Sequence, residues 1–261
     1  MLDPVPYIDP LVVAFEREGF VVVHDVFTPD EIDRIREAFG RLERTARSLR
    51  ETAMVDGSQF VVDARPEDPP EAVKIHRIVW CGAAEPILSQ FGKDSRLVEI
   101  VARLTGASEF DQLINQAHFK FPGDGIEFGW HQDSRHRRYG TDLWTDVDGR
   151  GSFVEIVTAV DDMTLDNGPL EFIPGSHVRG HVPCVYGTNE LPEGTFDPSD
   201  AVAVTLRAGS VVAFGPYVIH GSSPNHGTQP RRSFLNGFAL PGANRRVYPG
   251  EGAGRRVRLR G

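Results

Sequence analysis

"AGSVVAFGPYVIHGSSPNHGTQPRRSF", residues 208–234, carries the punctuation from which the fold is read. A short apolar run at 211–214 stops at Gly215-Pro216, and a second run ends in His220. A Gly-Ser turn and a Pro/Asn/Gly loop follow, and Arg231 and Arg232 open a further apolar run. Short β-branched and aromatic runs broken by Gly, Pro and Asn are the pattern of strands in a sandwich or barrel. The texture recurs throughout the C-terminal part. Residues 110–121 ("FDQLINQAHFKF") alternate between two faces. Further strand-like runs lie at 152–163, 168–177, 200–209 and 232–240.

Upstream the pattern changes period. Residues 9–19 have apolar positions at helical spacing, and "GFVVVHDVF" after them reads as a short strand. The stretch "TPDEIDRIREAFGRLERTARSLR" from Thr28 predicts a helix. Thr28 is placed to cap it, Pro29 suits its first turn, and Glu31 completes a capping box. Ile32, Ile35, Phe39 and Leu42 fall on one face of it. Residues 85–106 predict two more helical pieces, the second closed by Gly106. Helices followed by many short strands imply a mainly β domain with flanking helices. One domain is expected over 1–261, with a helical flank to about 108, a jelly-roll core over about 109–242 and a solvated, mobile basic tail.

A chain of 261 residues with 37 acidic and 28 basic side chains carries a net charge of −9, which argues against general binding to nucleic acid. Cys81 and Cys184 have no CxxC spacing, so neither a disulfide framework nor a structural zinc site is expected. The N-terminus lacks the pattern of a signal peptide, and no run is long and apolar enough for a membrane helix. The expected setting is the cytoplasm, where ferrous iron also persists.

In "EFGWHQDSRHRR" (127–138) the H-x-D pair puts His131 and Asp133 on one face if the chain is extended there. Such a pair either binds a metal or forms a hydrogen bond. His220 supplies a second imidazole. Two histidines and one carboxylate leave three metal positions open, the arrangement of non-haem Fe(II) oxygenases. A keto acid chelates at two of them and O₂ takes the third. The keto acid's far carboxylate calls for a fixed guanidinium.

Three ordered stretches, "WHQDS" (130–134), "DNGPLEFIPGSH" (166–177) and the opening 208–234 segment, resemble the phytanoyl-CoA dioxygenase-like Fe(II)/2-oxoglutarate oxygenases over about residues 110–240. The resemblance implies a double-stranded β-helix (a cupin-like jelly roll) and assigns His131, Asp133 and His220 to iron. It implies Arg231 for the C5 carboxylate of 2-oxoglutarate, assisted by Ser222, with O₂ as oxidant. Arg232, one residue on, should face the other way. Gln116, His118 and Lys120 alternate on one strand, so Gln116 or Lys120 is placed to reach 2-oxoglutarate or substrate. Arg77, Arg138 and Arg179, with Arg137, are candidates for a substrate anion, and Trp130 and Trp144 for the pocket wall. Asn167-Gly168-Pro169 reads as a tight connection. His24, His76, His136, His177, His181 and His226 read as surface, loop or turn residues.

The expected reaction is hydroxylation of an unactivated C–H bond in a small molecule bearing a carboxylate, such as a free or N-acylated amino acid. Desaturation, cyclisation, epimerisation or non-catalytic binding by a jelly roll are the alternatives. Halogenation is disfavoured because Asp133 is present. The oligomeric state is not readable.

Overall fold

The computed structural model describes residues 9–258 except 187 and 189. In chain order its elements are α1 (Pro10–Glu18), β1 (Phe20–Val23), α2 (Pro29–Ser48), β2 (Ala53–Val55), β3 (Ser58–Asp63), β4 (Lys74–Val79), α3 (Pro86–Phe91) and α4 (Ser95–Thr105). There follow β5 (Glu109–Lys120), β6 (Phe128–His131), the single turn α5 (Asp133–His136), β7 (Phe153–Ala159), β8 (Leu170–Phe172) and β9 (Val202–Val204). The last are β10 (Val211–Phe214), β11 (His220–Ser222), β12 (Arg231–Ala239) and β13 (Arg255–Arg258). Two antiparallel sheets face each other. The larger runs β1-β10-β7-β12-β5-β4-β3-β2 with β13 also on β5, and the smaller runs β6-β11-β8-β9.

Period two in β12 serves both faces of the large sheet. Phe234 and Phe238 join Phe119 of β5 and Ile32, Ile35, Phe39 and Leu42 of α2 in one buried cluster beneath the helices. The Phe39 ring lies 5.3 Å from that of Phe119 and 6.3 Å from that of Phe234. Between the sheets, Val157, Val212 and Phe214 meet Phe172 and Val204. Thr28 and Glu31 form the expected capping box at the start of α2. Phe39→Ala should therefore destabilise the protein by about 3–5 kcal/mol. A shift of less than about 1 kcal/mol in urea unfolding would mean that α2 does not anchor the sheet.

Two expectations are corrected. The N-terminal flank is not simply helical: besides the expected strand, β1, which pairs with β10, β2–β4 extend the large sheet beyond β5. The basic tail is not free as far as Arg258. Arg255–Arg258 pair with Glu109–Gln112, and Arg256 binds Asp111 at 2.6 Å and Glu109 at 3.2 Å. Residues 259–261 lie outside the described residues.

Candidate active site

β6 and β11 run side by side with His131 opposite His220, and their rings are 4.3 Å apart. The His131 ring approaches the carbonyl of Gly129 through Nδ1 at 2.7 Å, and His220 Nδ1 approaches that of Val218 at 3.0 Å. A carbonyl only accepts, so each Nδ1 carries the proton and each Nε2 keeps its lone pair. Backbone anchoring of this kind is how metal-binding imidazoles are oriented. Strand β6 ends at His131, but Gln132 stays extended (φ −111°, ψ 141°), so the two-residue alternation still delivers Asp133 to the same side. Asp133 Oδ1 lies 3.9 Å from His131 Nε2.

The electrostatics suit a cation. Burial, then the neighbouring His220, pushes the His131 pKa down to about 3, so the ring is neutral near pH 7. Burial raises the Asp133 carboxyl, but the electrostatic pull of the neighbouring His220, Arg137 and His131 side chains outweighs it and holds the group well below the usual carboxylate range. Asp133 Oδ2 is buried and has no hydrogen-bond partner among the described residues. A buried anionic oxygen without a partner is costly unless something positive meets it. Two anchored imidazoles and this carboxylate fit a divalent iron.

His136 was expected to be a surface or loop residue; it is exposed, but it also lies beside the H-x-D pair. Its ring is 5.3 Å from His131, and one donor atom from each of His131, Asp133 and His136 lies within 4.8 Å of the others. This is a rival ligand set. His220, for its part, is buried, directly opposite His131, and has a fixed tautomer. His136 is exposed at the end of α5 with no ring anchor among the described hydrogen bonds.

The three groups open on a cavity of about 790 Å³ between the sheets, also lined by Gln116, His118, Ser222, Arg231 and Ser233. Register explains the grouping. Arg231, Ser233 and Leu235 of β12 stand opposite Lys120, His118 and Gln116 of β5. Arg232 faces the other way and is clamped by Asp161 at 2.7 and 2.8 Å. Arg231 is 3% exposed and donates to Ser233 Oγ at 3.0 Å and to the Gly168 carbonyl at 2.6 Å. Its Nε is buried without a partner, and among the described residues it has no carboxylate within ion-pair distance. Burial pulls its pKa down to about 10. A guanidinium held in this way is a ready-made anion site.

Lys120 does not line the cavity; it stands behind Ser222. Its ammonium donates to Ser222 Oγ at 2.7 Å, to the Ser222 carbonyl at 3.0 Å and to the carbonyl of Ser223. Burial lowers its pKa to about 7. Gln116 does line the cavity and meets His118 Nε2 at 3.0 Å. The Asn167-Gly168-Pro169 connection is as tight as expected. Gly168 (φ +71°) passes so close to the Ser223 carbonyl that a Cβ would sit 2.1 Å from it, and this approach presents the Gly168 carbonyl to Arg231.

Three substrate candidates are not at the site. Arg138 is exposed in a left-handed turn (φ +64°) and does not line the cavity. Arg179 is turned onto the Thr195 carbonyl. Trp144 is buried, stacked on Tyr139 4.8 Å away in a separate cluster. Arg77 and Trp130 do line the cavity. Arg137 reaches it too, but is buried against Glu155 at 3.4 Å. Sequence reasoning missed Glu155, which stands between Arg137 and Asp133 and whose pKa is driven up by burial and then by Asp133. It also missed Gln132, whose amide fixes residues 180–182 through the Gly180 carbonyl at 3.0 Å and the Val182 amide at 2.8 Å.

A jelly roll with two imidazoles and a carboxylate at its mouth, facing an unpaired buried guanidinium, defines the non-haem iron, keto-acid-dependent oxygenases. The comparisons narrow the class. The phytanoyl-CoA dioxygenase (PhyH) family pattern matches residues 15–233, so the chain belongs to that family of iron- and 2-oxoglutarate-dependent dioxygenases. It is 28% identical over 240 residues to an ectoine dioxygenase of Sphingopyxis alaskensis, covering 84% of this chain and 71% of that protein. It is 26% identical over 247 residues to an L-proline trans-4-hydroxylase of Streptomyces griseoviridis, covering 84% and 81%. The crystal structure of EctD from S. alaskensis with 2-oxoglutarate and 5-hydroxyectoine superposes with a TM-score of 0.71 at 24% identity, over 98% of this chain and 84% of that one.

Proposed function

We propose that the protein hydroxylates an unactivated C–H bond of a small, carboxylate-bearing molecule of amino-acid type, the whole chain acting as one domain. The relatives named for ectoine and L-proline support this substrate class. In this reading His131, Asp133 and His220 hold the iron, and Arg231 with Ser222 receives the C5 carboxylate of 2-oxoglutarate. Lys120 orients Ser222, and Gln116 faces the co-substrate or the substrate from the cavity wall. The observation that carries the reading is Arg231, a buried cation without an acid partner, in the same cavity as the two anchored imidazoles.

Bound iron supplies the coupling of 2-oxoglutarate decarboxylation to O₂, one oxygen atom entering succinate and the other the C–H bond. The chain itself binds, orients and shields. Anchored Nδ1 protons keep both Nε2 atoms free, Asp133 stays ionised, and the two sheets hold the reactants away from bulk water. A reducing cytoplasm suits the two free thiols, Cys81 and Cys184, and ferrous iron.

Anaerobic addition of Fe(II) and 2-oxoglutarate should produce the weak visible charge-transfer band of a chelated keto acid. Amino acids and their N-acyl derivatives should then be screened for stimulated succinate release. Failure to form the band, with the protein folded, would overturn the reading.

A further inference from the structure

Two guanidinium groups enter the cavity from neighbouring positions of the large sheet, and 2-oxoglutarate accounts for one. Arg77 stands on β4 opposite His118 of β5, whose other neighbour is Ser233 of β12. Its side chain lines the cavity that holds His131 and Asp133. It is half-buried, and among the described residues no carboxylate lies within ion-pair distance and no hydrogen bond satisfies its guanidinium. Burial alone depresses its pKa, with no neighbouring acid opposing the shift. The other cations there are differently placed: Arg135 sits on the α5 turn, Arg137 has Glu155, and Arg246 donates to the His136 carbonyl at 2.6 Å and stacks on Tyr248.

Arg77 also lies away from the keto-acid position. Strands repeat at about 4.8 Å, so the backbone of Arg77 is roughly 10 Å across the sheet from that of Ser233. A diacid reaching from Arg231 to the imidazoles has no third charge to offer Arg77. Across the sheet from it His118 is held uncharged by burial, and the amides of Gln59 and Gln116 share the cavity wall. The carboxylates on that wall, Glu127 and Glu190 among them, are not within ion-pair distance of Arg77. One guanidinium among neutral hydrogen-bonding groups matches a single negative charge in bidentate geometry, a carboxylate rather than a phosphate dianion.

We propose that Arg77 is the specificity residue of this enzyme, binding the substrate carboxylate in the cavity of His131 and His220. This rests on the Fe(II)/2-oxoglutarate reading, and the test separates the two. In the anaerobic Fe(II)/2-oxoglutarate complex, phenylglyoxal should modify Arg77 while Arg231 is shielded, as mapped by mass spectrometry. The proteinogenic amino acids, free and N-acetylated, are then added singly. At least one should shield Arg77, and its carboxamide should not. For that acid, Arg77→Gln should raise KM roughly 10- to 150-fold, the range for a lost hydrogen bond to a charged group. KM for the carboxamide should not move, and Arg77→Lys should recover part of the loss. The Fe(II)/2-oxoglutarate band of Arg77→Gln should match wild type, which a merely structural arginine would not guarantee.

Shielding of Arg77 by 2-oxoglutarate alone would overturn the proposal. So would the absence of shielding by every acid, shielding only by phosphonate analogues, or equal KM changes for acid and carboxamide. Absence of the band in wild type would instead overturn the iron and keto-acid reading. The shielding of Arg77 by amino acids is measured independently of that band.

Discussion

His220→Ala is expected to remove tight Fe(II) binding and to lower substrate-dependent succinate release below roughly a hundredth, since even changes in groups behind a metal ligand cost about 10–100-fold. The ring is buried between Phe172 and Phe214, with centroids 5.6 and 4.7 Å away. Alanine therefore leaves a small void, and a modest loss of stability should accompany the loss of metal. The decisive comparison is with His136→Ala. His136 belongs to the competing cluster with His131 and Asp133, yet it is exposed and its ring has no hydrogen bond among the described residues. Iron content after dialysis should be near normal in His136→Ala and near zero in His220→Ala. Asp133→Asn keeps the shape of the carboxylate but removes its charge, and should behave like His220→Ala. Should His136→Ala lose the metal while His220→Ala keeps it, the third ligand comes from α5 and not from β11.

Much of this was legible because the residues concerned obey a local rule. Thr28 and Glu31 announce α2 through capping chemistry. Period two places Arg231 and Arg232 on opposite faces of β12, and Asp161 confirms the second by clamping it. His131 and Asp133 share a face although the strand stops between them, because Gln132 remains extended. What was not legible depends on partners far away in sequence. Nothing local says that Arg255–Arg258 find an edge of β5, or that Lys120 is drawn behind Ser222. Arg138 looked well placed by spacing, but a left-handed turn at that residue directs it to solvent. Trp144 looked like a pocket wall until Tyr139 and Phe153 enclosed it. Two signals were present and unread. Asp56-Gly57, with φ of 47° and 76°, makes the tight turn between β2 and β3, and an Asp-Gly pair between apolar residues is a strong hairpin sign. The three-residue step from Asp133 to His136 is one helical turn, which brings His136 back beside the H-x-D pair.

Arg231→Met should separate the needs of the fold from the needs of the site. In wild type the guanidinium is held at 3% exposure by one serine hydroxyl and one carbonyl, and burial opposes its charge. Removing a buried charge that lacks an ionic partner relieves its desolvation cost, which offsets the loss of its two hydrogen bonds. The variant without ligand should therefore melt at or above the wild-type temperature. The 2-oxoglutarate complex should respond in the opposite direction. Without the guanidinium, the C5 carboxylate enters the pocket unpaired, and losing one side of a buried pair costs about 3–5 kcal/mol. That corresponds to a weakening of 2-oxoglutarate binding by roughly two orders of magnitude or more. Wild type at a hundred times its Kd should gain about 2.7 kcal/mol from the ligand, and the variant at the same concentration should gain almost none. Arg232→Ala is the control, because its side chain meets Asp161 on the opposite face and should leave the 2-oxoglutarate-induced rise in Tm intact. A normal rise in Arg231→Met together with a lost one in Arg232→Ala would mean that β12 presents its other face to the cavity.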